Sequence, residues 1–252
     1  DKVRFVGDPV ALVVARTAQQ ARDAAEAVSL DIDILPAVTS AEAALAPDAP
    51  ELFDDVPGNL ILDYHFGEAD KVAAAFAGAA HVTKVRIVNN RIIVNPLEPR
   101  AAIGTYDRKT RRYTLHAPSQ GAFGMRNNLA AAMGVSKDRL RLVTGHVGGS
   151  FGMKSSVFPE YVMVMHAARL LNKPVKWTDM RSESFVSDHH GRDMVFEAEL
   201  ALDARGTFLA TRFTGIGNMG GYLSPVGPMM ATTNIGKNSV GMYRTPLVEV
   251  QT

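Results

Sequence analysis

The first place where residue types and spacing could do chemistry is the run Gly148-Gly149-Ser150-Phe151-Gly152. Glycines in such a run let main-chain N–H groups approach a ligand with no Cβ in the way. The same five residues satisfy G-x-S-x-G, which makes Ser150 a nucleophile if it sits on a strand-to-helix turn. Asp188, His189, His190 and Asp193 would then supply the acid and the base. Two features oppose that triad. No His-Gly-Gly type oxyanion segment lies upstream, and Met153-Lys154 occupies the position where the helix should open. The run also approaches a phosphate loop, but Met153 separates Gly152 from Lys154 and puts the lysine out of place.

Other clusters carry less. Gly215-Ile216-Gly217-Asn218-Met219-Gly220 fits G-x-G-x-x-G, yet Gly221 to Pro225 cannot open a helix easily and no acid lies about twenty residues on. A strand end loosened by glycine, where another backbone packs closely, is the better reading. Glu98 and Arg100 flank Pro99 as an acid beside a base; Pro99 fixes the chain between them, and structural pairing or subunit contact is a stronger reading than a catalytic role. His189-His190 are adjacent and rarely reach one ion together, and His65, His81, His116 and His166 stand alone, so no protein-held metal site is expected. The methionines Met163, Met165, Met229 and Met230 read as core filling.

Composition narrows the function classes. The net charge of +1 gives no bulk field to recruit nucleic acid or an anionic membrane. The absence of cysteine excludes disulfides, thiolate nucleophiles and iron–sulfur clusters carried by this chain, and fits a reducing, cytoplasmic compartment. No apolar run approaches the ~20 residues of a membrane span. At 252 residues with 46% apolar content, the chain can build its own core without covalent staples.

The elements that must position these residues follow from hydrophobic periodicity. Residues 9–15 form a continuous apolar run, read as a buried strand. A helix follows, with Thr17 and Gln20 as its capping box, and residues 29–35 alternate as a second strand. Residues 36–67 carry Pro36, Pro47, Pro50 and Pro57 and read as a long surface connection. A domain boundary is expected there, dividing 1–50 from 51–252. Beyond it come a helix over 68–77, strands through 79–116 with a hairpin at 107–110, and a helix over 121–133. A strand at 139–147, a helix over 156–171, a strand at 175–178 and a hairpin over 194–217 complete the pattern. Without strict β-α alternation this is α+β, not a doubly wound sheet. The chain opens within an apolar run and stops within another at 247–250, so both ends read as cuts in a longer protein.

Taken in order, several segments resemble the large subunit of molybdenum hydroxylases, the xanthine dehydrogenase, aldehyde oxidase and aerobic carbon monoxide dehydrogenase family. Residues 3–11 (VRFVGDPVA) resemble its "V-R-x-V-G-[DE]-P-V-A" strand entry, and Leu35-Pro36-Ala37-Val38 its "L-P-[AP]-V". Asn95 to Arg100 (NPLEPR) resembles "N-P-[ML]-E-P-R", and Ser119-Gln120 the "[ST]-Q" ahead of a helix. Residues 148–152 resemble "G-G-G-F-G", with Ser150 in place of the more usual third glycine. Asn218 with Tyr222-Leu223 resembles "N-x-G-A-Y". The series runs through the whole chain in order.

The resemblance implies the end of a small β-α-β, hammerhead-like domain followed by the first molybdopterin-binding α+β domain, truncated. It implies a parent that oxidises or hydroxylates a small carbon substrate (aldehyde, N-heterocycle or carbon monoxide) with water as oxygen source. The metal would be held by the dithiolene of a molybdopterin, in the cytosine dinucleotide form, not by protein side chains. Iron–sulfur and flavin subunits would be its partners. Gln120 would donate its amide to a ligand of the metal or to the pterin, and Phe151 would pack beside the site and shape access. Gly148, Gly149, Ser150, Phe151 and Gly152 would offer their backbone to the cofactor. The family's later loops and its C-terminal glutamate base do not occur in this sequence, so the chain alone is expected to hold no complete cofactor and to catalyse nothing. A serine hydrolase built on Ser150, or a non-catalytic module that contacts partner subunits, stand as the alternatives.

Overall fold

The computed structural model describes residues 2–252 and divides them into two compact units built from interleaved segments. The first takes the N-terminal residues through Ile32 with Ile93–His190, and the second takes Asp33–Ile92 with Gly191–Thr252. These units are discontinuous in sequence, so the contact division does not follow the single cut expected near residue 50.

In the second unit, after helix α1 (Ala18–Glu26) of the first, come the short helix α2 (Ala41–Ala44), strand β1 (His65–Gly67), helix α3 (Ala69–Ala77) and strand β2 (His81–Asn89). The first unit then supplies strands β3 (Ala101–Asp107) and β4 (Arg112–His116), helix α4 (Ala122–Ala132), strand β5 (Leu140–Val143), helix α5 (Pro159–Leu171), strand β6 (Val175–Thr178) and helix α6 (Arg181–Ser187). The second unit closes with strands β7 (Met194–Leu202) and β8 (Phe208–Gly217), helices α7 (Gly227–Ala231) and α8 (Thr233–Asn238), and strand β9 (Leu247–Gln251). The α+β class read from the sequence holds.

Four strands of the first unit form a sheet in the order β5-β4-β3-β6. The β3–β4 hairpin is antiparallel with Tyr106 opposite Tyr113, while β4 and β5 run parallel with His116 opposite Val143. Helix α5 begins at Pro159, where a missing N–H costs nothing, and stops at Asn172 in the left-handed region. Its Tyr161, Val164, Met165 and Ala168 recur at helical spacing and are buried, as Leu115 is beneath them in β4. Gly104 permits that packing, because a Cβ there would come 2.7 Å from the Val164 carbonyl oxygen. Met125 and Leu129, one turn apart on α4, complete the core with Leu140 of β5.

The second unit has a five-stranded sheet in the order β1-β9-β8-β7-β2. Asp203 accepts from the N–H groups of Arg205 and Thr207, which sets the β7–β8 turn and leaves Gly206 at φ +82°. Val72 of α3 buries against Ala201 and Ala210. The proline-bearing connection is tied down by Asn59, whose amide donates to the carbonyls of Ala44 and Pro50 and accepts from Leu52 N–H.

Two sequence expectations fail at the N-terminus. Residues 9–15 and 29–35 flank the expected helix α1, and Thr17 caps it through Gln20 N–H, but neither segment pairs as a strand. A strand is stable only when its N–H and C=O groups find a ladder. Neither segment pairs with one among the described residues, and Val10, Val14, Leu30 and Ile32 are exposed. Helices α6, α7 and α8 were not expected; each is seven residues or shorter and too brief to show a period.

The G-x-G-x-x-G run is a strand end, as read. A Cβ on Gly215 would come 2.4 Å from the Val195 carbonyl oxygen on β7, and one on Gly217 would come 2.5 Å from Ala231 Cβ. No helix opens before Gly227. Among the described residues no helix is long and apolar enough to cross a membrane.

Candidate functional site

The geometry of the site starts from the parallel pair β4 and β5. Parallel neighbours release their following loops from the same edge of the sheet, the usual position of ligand sites in such sheets. Ala117 N–H extends the pairing to the Val143 carbonyl at 3.2 Å. Residues 117–121 and 144–152 therefore leave side by side, and they bring Gln120 against the glycine run.

Gln120 sits at the strand-to-helix junction, one residue before the Gly121 cap of α4, and its own N–H bonds the Lys154 carbonyl at 3.1 Å. Its side-chain Oε1 accepts from Ser150 Oγ at 2.6 Å and from Gly152 N–H at 2.7 Å. A main-chain N–H can only donate, so it favours the oxygen end of the amide on the loop side. The Nε2 end then carries two protons that meet no acceptor among the described residues. The N–H groups of Gly149, Ser150 and Phe151 likewise have no protein acceptor there. Four donors on two loops that bond to each other thus lack an acceptor among the described residues.

The loop conformation depends on glycine at position 149. Gly149 has φ +101°, and a Cβ on it would come 2.8 Å from the Phe151 ring and 3.2 Å from Pro96 Cβ. Phe151 itself has φ +50°, a left-handed conformation costing about 1–2 kcal/mol for a residue with a Cβ. The residue is 76% exposed. Such an outlier in an exposed aromatic points to a functional demand, since packing does not repay it.

Two charged residues that the sequence left undecided divide here. Glu98 belongs to the loop: its Oε2 accepts from Gly148 N–H at 2.9 Å and from Lys154 Nζ at 2.8 Å. Lys154 is fully buried and also donates to the Glu98 carbonyl at 2.7 Å. Burial pushes the Glu98 carboxyl up, but the Lys154 ammonium and the Gly148 N–H outweigh it and hold it below its ordinary value. Lys154 was seen in the sequence only as misplaced for a phosphate loop. Its partner lies 56 residues away, so no local signal could reveal this clamp.

Arg100 does not join the loop. It is fully buried and donates to Asp188, to Glu160 at 2.8 Å and to Ser187 Oγ at 2.8 Å, with Asp179 at 3.4 Å. Its guanidinium lies 4.0 Å from the Phe158 ring centroid. This is structural pairing, one of the two readings the sequence offered.

The hydrolase alternative fails on these contacts. Ser150 Oγ is engaged by Gln120 and by Lys154 N–H, not by a histidine. Asp188 is committed to Arg100, His189 stacks on Phe158 at 4.5 Å, and His190 bonds the Phe185 carbonyl. Asp193 pairs with Arg91 and Asn218. Among the described residues no three His, Cys, Asp or Glu side chains could hold a metal ion.

A concavity of about 320 Å³ opens on the sheet face away from α5, between Ile103, His116, Pro118, His146 and Trp177. Gln120 and Phe151 do not line it.

Comparison with known proteins gives the family. Residues 52–252 match the model of the molybdopterin cofactor-binding domain. The chain is 37% identical, over 98% of its length, to the 6-hydroxypseudooxynicotine dehydrogenase complex subunit gamma of Paenarthrobacter nicotinovorans, covering 30% of that protein. It is 30% identical to the carbon monoxide dehydrogenase large chain of Hydrogenophaga pseudoflava, over 98% of this chain and 32% of that one. The crystal structure of quinoline 2-oxidoreductase from Pseudomonas putida 86 superposes with a TM-score of 0.87 at 29% identity, over 98% of this chain and 31% of that chain. The chain thus spans about a third of the length of these relatives. With the domain model matching most of its residues, the chain belongs to the molybdopterin cofactor-binding domain family, in the group of molybdenum hydroxylase large subunits.

Proposed function

We propose that this chain forms the first cofactor-facing portion of a molybdenum hydroxylase large subunit, and that the open edge at Gln120 and residues 148–152 meets the molybdopterin and its metal. The carrying observation is four donors without a protein acceptor on two loops that bond to each other: Gln120 Nε2 and the N–H groups of Gly149, Ser150 and Phe151. Pterin carbonyls, phosphates and metal-bound oxygens are all acceptors, so these unpaired donors match that cofactor in chemistry. The glycines keep the edge clear of side chains that would block the approach.

When bound, the cofactor supplies a redox metal that takes two electrons as water oxygen is added to a carbon substrate. The residues of this chain bind and orient. The 149–151 backbone holds the acceptor groups, Gln120 donates without titrating, and the exposed Phe151 ring narrows access. Residues 1–50 would close a preceding hammerhead-like domain, with 51–252 forming the first cofactor domain. The cytosine dinucleotide form of the cofactor, iron–sulfur and flavin subunits as electron acceptors, and a cytoplasmic location complete the reading.

The substrate is a small aldehyde, an N-heterocycle or carbon monoxide. Two relatives named for a nicotine derivative and for quinoline favour the N-heterocycle. The test uses the whole protein with its partner subunits, produced with molybdate. One molybdenum per large subunit and oxidation of a pyridine or quinoline panel are expected. A well-folded complex that retains no molybdenum would overturn the proposal.

A further inference from the structure

We propose that Ser150 is a positioning residue, which locks the Gln120 amide with its donor end facing the cofactor edge. This rests on the cofactor reading above and adds a role that the glycine more usual at this position could not perform.

An amide has two ends of nearly equal size, and only its surroundings decide which points outward. Two donors hold the oxygen end of Gln120 inward. Gly152 N–H is one, and any residue at position 152 could supply it. The Ser150 hydroxyl is the other, at 2.6 Å. A hydroxyl can donate or accept, but this one already accepts from Lys154 N–H at 3.2 Å. That bond takes one lone pair and leaves the hydroxyl proton for Gln120 Oε1. Reversing the amide would set Nε2 protons against the Gly152 N–H and break the Ser150 bond. Lys154 is in turn held by Glu98, so the orientation is relayed from a half-buried ion pair through the hydroxyl to the amide.

A single N–H leaves the amide free to swing about its last torsion, whereas two donors at an angle to each other do not. Ser150 is not in the left-handed region, so alanine or threonine can replace it without backbone strain. Residues that orient a group at a metal site without touching the metal commonly change activity by about tenfold or more when replaced.

The experiment is made on the whole enzyme with its cofactor, comparing Ser150→Ala and Ser150→Thr by crystal structure, molybdenum content, kcat and KM. In Ser150→Ala, Gln120 should lose its single orientation and kcat should fall about tenfold, with KM and molybdenum content unchanged. Ser150→Thr, which keeps the hydroxyl, should restore both. An ordered Gln120 with Oε1 still on Gly152 N–H in Ser150→Ala, or an unchanged kcat, overturns the proposal. Failure of the cofactor reading looks different: the wild-type complex itself would carry no molybdenum, and the Ser150→Ala structure would still decide the orientation.

Discussion

Two polar clusters of the first unit, joined through the short segment from Glu98 to Arg100, solve opposite problems. At Arg100 every guanidinium nitrogen has a partner, and Asp188, Glu160, Ser187 and Asp179 surround it in the interior. At exposed Gln120 the acceptor is doubly used while the amide donors have no partner among the described residues. Polarity turned inward and satisfied holds a fold together; polarity turned outward and left incomplete waits for a ligand. Pro99 separates the two roles within three residues. Charge alone could not have sorted them, because Glu98 serves the loop and Arg100 serves the core.

The sharpest way to break this contrast is to remove one member from each side. Arg100→Met leaves Asp188, Asp179 and Glu160 together without their cation, and loss of one partner from a buried network costs about 3–5 kcal/mol. Urea unfolding of the variant should show that loss; a midpoint within error of the wild type would mean the cluster is not structural. Gln120→Ala should do the reverse. Its side chain is exposed, so stability should move by less than about 0.5 kcal/mol. Turnover by the whole enzyme should fall about 10²-fold, the usual cost of one preorganised donor. A large stability loss with unaltered turnover would make Gln120 another structural residue.

How much of this was legible beforehand depends on the range of the interactions. The β3–β4 and β7–β8 hairpins, helix α5 with its Asn172 stop and the Thr17 cap are set by neighbours within a few residues, and their types announce them. The N-terminal strands misled, because an apolar run records a tendency to pair but not whether a partner exists. The 148–152 run stands out by its own residue types, but Gln120 is picked out only through the ordered family resemblance, and no local pattern would have joined residues 30 apart. The Lys154–Glu98 clamp and the Arg100 cluster, whose acids lie 60 and 88 residues along the chain, were beyond any local pattern.

Within the loop, Gly149→Ala and Gly152→Ala sharpen the contrast further. Both positions have positive φ, so both should lose about 1–2 kcal/mol to backbone strain. Only position 149 adds a collision, with the Phe151 ring and Pro96, whereas position 152 opens into free space. Gly149→Ala should therefore be the less stable of the two in thermal unfolding. Equal losses would mean that Phe151 is free to move aside.

The smallest effect is a pH dependence that belongs to the loop side alone. The Glu98 carboxyl is held below its ordinary value of 4.5, despite burial, by Lys154 and the Gly148 N–H. A carboxyl whose folded value is depressed gives up its proton more readily when folded than when unfolded, so it contributes stability above the ordinary value. That contribution is lost as pH falls from about 4.5 through the folded value. Glu98→Gln cannot titrate, and its stability should lie below that of the wild type at neutral pH and converge with it on acidification. Because the carboxylate is more than a third exposed, solvent screens the pair and the difference should be modest. If the two curves stay parallel across the acid range, the Glu98–Lys154 pair does not hold the loop electrostatically, and its hold on the 148–152 run would come from hydrogen-bond geometry that glutamine can reproduce.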